Sequence, residues 1–376
     1  MPTVPFRAIR ALAIILAVSA AATGCATPAG VSPSASPAAE PSPTPSPSPS
    51  AVERIAAPLP YVDASCAELL STASLASGFA VPVAALEVVE NIYLSGSDGP
   101  LRFALRQLGG IECEWSNGEP IIANFGPNPR YVGVTLRVLP GAEDRWQYFS
   151  DYYSVEGAEQ AYCGETAEPT SCLINALVAD DWVELELQAA ASVIGDGSNA
   201  EAVTRRLYDE FVAALSAAPA SSAEWSPPTG TIPLSSECAQ FVSPADAAAI
   251  IGLPVYFDGM DGGASLVAAS WANSGGSPCF WAHSPEEPAG VFVSWLPGGE
   301  WAWMEQQRPG SYEAVAVPGL LPDDAAWLDC PASTGDCALD LIVGHNWIQI
   351  ALSRDDADKP AVLEQLAAKV VESIRG

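Results

Sequence analysis

The cysteines constrain this chain more than any other feature. Nine occur, at 25, 66, 113, 163, 172, 238, 279, 330 and 337, and an odd count leaves at least one thiol without an intrachain partner. With Cys25 set aside, the rest form two sets of four, with gaps of 47, 50 and 9 residues and then 41, 51 and 7. Spacing alone can coincide by chance, but the residues between match as well. Ser65-Cys66 through Val81-Pro82-Val83 aligns without a gap on Glu237-Cys238 through Leu253-Pro254-Val255. Gly109-Gly110-Ile111-Glu112-Cys113-Glu114-Trp115 aligns on Gly275-Gly276-Ser277-Pro278-Cys279-Phe280-Trp281. Val138-Leu139-Pro140-Gly141 and then Trp146 match Trp295-Leu296-Pro297-Gly298 and then Trp303. Cys172 through Trp182 to Leu187 matches Cys337 through Trp347 to Leu352, and the C-terminal stripes Val203, Leu207, Phe211, Leu215 and Val362, Leu366, Val370, Ile374 correspond. The 376 residues therefore read as two homologous domains, 60–218 and 229–376, joined by a Pro/Ser/Thr-rich linker at 219–228.

Cys25 is explained by what precedes it. Arg7 and Arg10 lead into the apolar run Ala11 to Ala22, which ends in Ala22-Thr23-Gly24-Cys25. A basic start, a short apolar run and small residues before the break describe a signal peptide over residues 1–24. Twelve residues of helix span about 18 Å, short of a hydrocarbon core of about 30 Å. The tetrapeptide resembles a bacterial lipobox, which makes Cys25 the expected lipidation site and the membrane a partner through that anchor. Residues 25–59 then form an expected disordered stalk, with eight Pro and seven Ser between Ala26 and Ser50. Extended at about 3.1 Å per residue, that stretch holds the first domain up to about 80 Å from the bilayer.

An exported location permits disulfides, and each domain has four cysteines for two of them. The short gaps favour local pairs, Cys163–Cys172 and Cys330–Cys337, leaving Cys66–Cys113 and Cys238–Cys279 for the longer loops; four cysteines allow three connectivities. A zinc site is disfavoured by the lack of paired CxxC spacing and of any His in the first domain, so no metal is expected. The element order within each copy is helix, two strands, helix, two strands, helix, with one more strand near Pro82-Val83 or Pro254-Val255. The fold class expected is α+β: two tandem homologous two-layer sandwiches, each an antiparallel sheet with helices on one face.

The order Cys–helix–Val/Leu-Pro, then Gly-Gly-x-x-Cys-x-Trp, then two closely spaced Cys, resembles small extracytoplasmic domains of actinobacterial lipoproteins. The two-disulfide layout is also similar to extracellular sensor domains of mycobacterial-type receptor kinases. The resemblance rests on framework residues and implies fold and location; no catalytic motif is carried over.

Chemistry is hard to find. Forty-five acids against 15 bases, a net charge of −30, exclude a nucleic-acid partner, which needs clustered cations. The two histidines, His283 and His345, read as an exposed residue and a turn residue, and no Gly-x-Ser-x-Gly elbow occurs. Lys359 and Lys369 both fall in the last helix. Asp258-Gly259-Met260-Asp261-Gly262-Gly263 lacks the closing acid of a calcium loop, and Asp180-Asp181 reads as a turn. No cofactor is expected. Trp271, Trp295, Trp301 and Trp327 have no matching Trp in the first copy and are the candidate ligand-binding residues, suited to a glycan or protein of the cell envelope. The expectation is a non-catalytic, lipid-anchored binding or sensing protein on the extracytoplasmic face. Its rivals are a carboxylate-dependent envelope hydrolase and a structural or chaperone lipoprotein.

Overall fold

The computed structural model describes residues 55–86, 99–119, 122–123, 126–128, 130–164, 170–194, 199–221, 225–258, 263–282, 290–307, 312–330, 337–353 and 358–376. The expected signal segment, Cys25, most of the stalk, His283 and residues 259–262 lie outside the described residues. Residues 53–376 make one compact unit.

The first half contains α1 (Cys66–Leu69), α2 (Thr72–Gly78), β1 (Ala84–Leu86), a 3-10 turn Pro100–Phe103 running into α3 (Ala104–Gln107), and β2 (Ile111–Ser116). The small hairpin β3 (Ile122–Ala123) and β4 (Gly126–Pro127) follows, then β5 (Val132–Leu139), α4 (Glu143–Tyr153), β6 (Glu159–Gly164), β7 (Thr170–Val178), β8 (Asp181–Ala189) and α5 (Ala200–Ala217). The second half runs α6 (Pro244–Ile251), β9 (Tyr256–Asp258), α7 (Leu266–Ser274), β10 (Ser277–Ala282), β11 (Gly290–Leu296) and α8 (Glu300–Gln306). It closes with β12 (Glu313–Ala314), β13 (Ala325–Asp329), β14 (Cys337–Val343), β15 (Asn346–Ser353) and α9 (Lys359–Arg375).

The first sheet has the order β1-β2-β5-β8-β7-β6, and the second β9-β10-β11-β15-β14-β13-β12. Strand for strand these are the same order, every pairing is antiparallel, and the second sheet adds one edge strand. The class is α+β. Local chemistry sets the boundaries. Ser243 caps α6 by accepting from the Asp246 N–H at 3.1 Å, Pro244 opens the helix, and Gly252 closes it at φ 77°. Asn199 caps α5 in the same way, through the Ala202 N–H at 2.8 Å.

Period-two alternation points Val132, Val134, Leu136 and Val138 of β5 to one face, where α5 brings Val203, Leu207, Phe211 and Leu215. The second core repeats this with Val291, Val293, Ile348 and Ile350 under Leu363, Leu366 and Val370 of α9. Cys66 pairs with Cys113, Cys163 with Cys172, Cys238 with Cys279 and Cys330 with Cys337, the pairs that the gap lengths favour.

Two further cores belong to both halves at once. Leu266 and Ala269 of α7 pack on Trp146, Phe149 and Trp182 of the first half. Phe103 and Ala104 pack on Trp301, Trp303 and Trp347 of the second. The exchange is reciprocal, each half lending the helix before its Cys-x-Trp strand to the other. Both α3 and α7 are short, four and nine residues, which is why helical periodicity does not reveal them. Two described residues of the expected linker are tied to the folded body: Ala220 bridges Val62, and the Trp225 indole donates to the Ala56 carbonyl at 3.3 Å. Residues 55–59, expected in the stalk, lie on the folded body, with Ile55 and Ala57 packed beside the tryptophans of the second half.

Candidate functional site

The unmatched tryptophans do not form an open groove. Trp295 is fully buried, stacked on Phe241 at 4.1 Å, and its indole donates to the Gly275 carbonyl at 3.1 Å. Trp301 is also buried; its indole donates to Gln107 Oε1 at 3.3 Å, across the seam, and Phe103 meets its ring edge-on at 5.7 Å. Trp327 is half-buried against Trp303 at 4.9 Å, and Trp271 is half-buried in the same cluster. Trp301, Trp327 and Trp271 belong to the packing between halves, and Trp295 to the second half's own core. That corrects the expectation for Trp295 and Trp301: absence from the first copy marks asymmetric packing, and burial removes the exposed face that a ligand would need.

Polar groups on the outward faces of the sheets are also buried, and they differ between copies. In the first half Arg137 lies between Glu112 and Glu184, at 3.0 and 2.8 Å. Burial works against its charge, yet the two carboxylates hold the guanidinium protonated well past the usual arginine range; burial in turn raises Glu184. Asn175 accepts the Trp182 indole N–H at 2.9 Å. In the second half the equivalent residue is Asp340, which accepts from the Trp347 indole at 2.8 Å and from Gln349 Nε2 at 2.9 Å. Burial pushes the Asp340 carboxyl up to about 7, against the lowering effect of those two donors. Gln349 Oε1 accepts the Gly99 N–H at 3.2 Å, so this network also crosses the seam.

The remaining candidates are turn and surface residues. Asp181 accepts the Gly141 N–H at 3.2 Å and the Tyr61 hydroxyl at 2.6 Å; its counterpart Asn346 accepts the Gly298 N–H at 3.0 Å. His345, at φ 65° in the second hairpin turn, sits 2.7 Å from Glu300 through Nδ1. Lys369 pairs with Glu372. Among the described residues, no cluster of three or more His, Cys, Asp or Glu is placed to hold a metal ion. A cleft of about 400 Å³ opens at the seam between Tyr61, Gln107, Trp225, Asn273 and Pro297. Its polar groups are engaged internally: Gln107 bonds Trp301 and the Pro297 carbonyl, Tyr61 bonds Asp181, and Asn273 accepts from Arg145 at 2.8 Å.

What stands open is a helix face. On α4, Trp146 and Phe149 turn inward against Trp182, while Tyr148, Tyr152 and Tyr153 are 56%, 61% and 49% exposed. Tyr148 and Tyr152 lie one helical turn apart with rings 6.3 Å apart, and Tyr152 meets Tyr153 at 4.9 Å. Asp144 and Asp151 flank them on the same exposed face, and Gln147 steadies Asp151 through a 2.8 Å bond. Three large exposed rings, Tyr148 on Tyr152 and Tyr152 on Tyr153, form a surface of few rotatable bonds that costs little side-chain entropy to use. The signal for it is a Tyr pair at i and i+4 on the side opposite Trp146 and Phe149.

No protein-family model matches the chain, and no curated protein matches it. A solved structure, DynU16, described as a protein in the dynemicin biosynthetic locus, aligns at 9% identity over 78% of this chain and 96% of that one, with a TM-score of 0.11. A likeness that small carries no argument.

Proposed function

We propose that this protein is a non-catalytic, lipid-anchored binding or sensing protein of the extracytoplasmic face, and that it meets its partner on the tyrosine face of α4. The observation that carries the reading is the contrast between buried tryptophans and three contiguous exposed tyrosines. Large aromatic rings left together at a surface are characteristic of interaction sites. Four disulfides and two shared cores support the rest, since they suit a stiff body held out in an oxidising compartment. A hydrolase reading would draw on Asp340, whose carboxyl titrates near neutrality, but that residue is 1% exposed and already bonded to Trp347 and Gln349.

Two experiments test the two parts separately. Cys25→Ala is expected to release the protein from the membrane fraction into the medium; unchanged retention refutes the anchor. Tyr148→Ala with Tyr152→Ala is expected to leave the melting temperature unchanged and to abolish cross-linking of the native protein to its envelope partners. A cross-linking pattern identical to wild type refutes the face.

A further inference from the structure

We infer that the tyrosine face of α4 receives a cationic, arginine-rich protein segment, an assignment that rests on α4 being the binding face. The molecule contains its own template for this contact. Aligning the Leu-Pro-Gly turns and the following tryptophans places Asp144 and Tyr148 of α4 opposite Trp301 and Glu305 of α8. Each helix thus presents one aromatic ring and one carboxylate at these two positions, with the order swapped. On α8 the pair is occupied. Arg106 of α3 donates to Glu305 at 2.8 Å and holds its guanidinium 5.3 Å from the centre of the Trp301 ring. A planar cation on an aromatic face with a carboxylate to pair it is a favourable combination, because the ring quadrupole and the anion act together.

On α4 the same combination has no such occupant among the described residues. The residue aligned with Arg106 across the two Gly-Gly pairs is Ala272, which has neither charge nor reach. The neighbouring cation, Arg145, is turned to Asn273 at the seam. Tyr148 and Tyr152 therefore keep exposed rings on the helix face that also carries Asp144 and Asp151. The chain's net charge of −30 adds a long-range attraction for a positive partner. Ring, carboxylate and field all select the same chemistry, a guanidinium-bearing strand or loop laid along the helix.

The test uses the full-length protein in non-ionic detergent and a labelled oligoarginine peptide, with the same peptide carrying neutral citrulline as control. Binding by anisotropy is expected for the arginine peptide only. Its Kd is expected to rise about tenfold in Tyr148→Ala/Tyr152→Ala and about as much in Asp144→Asn/Asp151→Asn, the equivalent of about 1.4 kcal/mol. Far-UV circular dichroism should stay unchanged, since all four residues are exposed. Equal binding of the citrulline peptide, or a Kd that neither pair of substitutions moves, overturns the inference. Should the tyrosine variant still lose its envelope cross-links in that case, the face stands as the binding surface and only the cationic partner falls.

Discussion

At the scale of single residues, the most informative comparison is Asn175 with Asp340. Both accept an indole N–H from the tryptophan seven residues on, yet one is neutral at every pH and the other is an acid. The Asp340 carboxyl is raised from 3.8 to about 7, chiefly by burial, so the folded state prefers it protonated. A raised acid leaves stability intact below the unfolded pKa and removes it as pH climbs through the folded one. For Asp340 the loss accumulates between about pH 4 and pH 7 and is complete above it, to a ceiling of about 4 kcal/mol at 1.36 kcal/mol per unit. Asp340→Asn should therefore match wild type in urea denaturation at pH 4 and exceed it at pH 8. Parallel pH profiles for the two proteins would refute this. The neighbouring Asp329 is also raised by burial and acts in the same direction.

At the scale of elements, the exchanged helices decide how the molecule coheres. Phe103 leaves its own half and is 1% exposed against Trp301 and Trp347, at 5.7 Å from each. Phe103→Ala should cost about 3–5 kcal/mol, the usual range for emptying a buried aromatic site. Because the site is shared, the loss should appear in the tryptophan fluorescence of the second half although the substitution lies in the first; an unchanged emission maximum and midpoint would contradict it. The nearby ion pair between Arg106 of α3 and Glu305 of α8 is more than a quarter exposed on both sides and should contribute less than about 1 kcal/mol.

This is also where the sequence stopped being legible. Cysteine pairs, the strands around Gly-Gly-x-x-Cys-x-Trp and the last helices are encoded locally, by loop length and by period-two or i, i+4 patterns. Strands β6 and β13 are harder to read because they are short, six and five residues, and β6 mixes polar with apolar residues. The seam between halves has no local signature at all. Phe103 finds Trp301 across nearly two hundred residues, and only that contact reveals that an unmatched tryptophan is a wall. The tyrosine face was readable in principle, since Tyr148 and Tyr152 sit where a surface helix ordinarily places charge.

At the scale of the whole molecule, stability is spread over crosslinks of very different reach. Cys66–Cys113 closes 47 residues and Cys163–Cys172 only nine. In the chain-entropy account the longer loop contributes about 4 kcal/mol and the shorter about 2.6. Replacing each pair by alanine and comparing urea midpoints should show that ranking; a larger loss from Cys163/Cys172 would mean that strand pairing of β6 to β7, not loop closure, governs the effect. Each half carries a complete sheet and its own core, yet the two shared clusters tie them into one unit, so a single unfolding transition is expected.

The reciprocal seam has a further consequence, for valency. Two identical subunits related by a twofold axis present every outward face twice, and whatever they bind can be cross-linked into chains. Here the two copies share one chain, which keeps them at high local concentration while leaving each free to change alone. Arg106 closes the aromatic face on α8, and Ala272 leaves the one on α4 open. One half has become the other's lid, and on the proposed reading α4 alone among the described helices keeps contacting exposed tyrosines: one binding face from a duplicated plan.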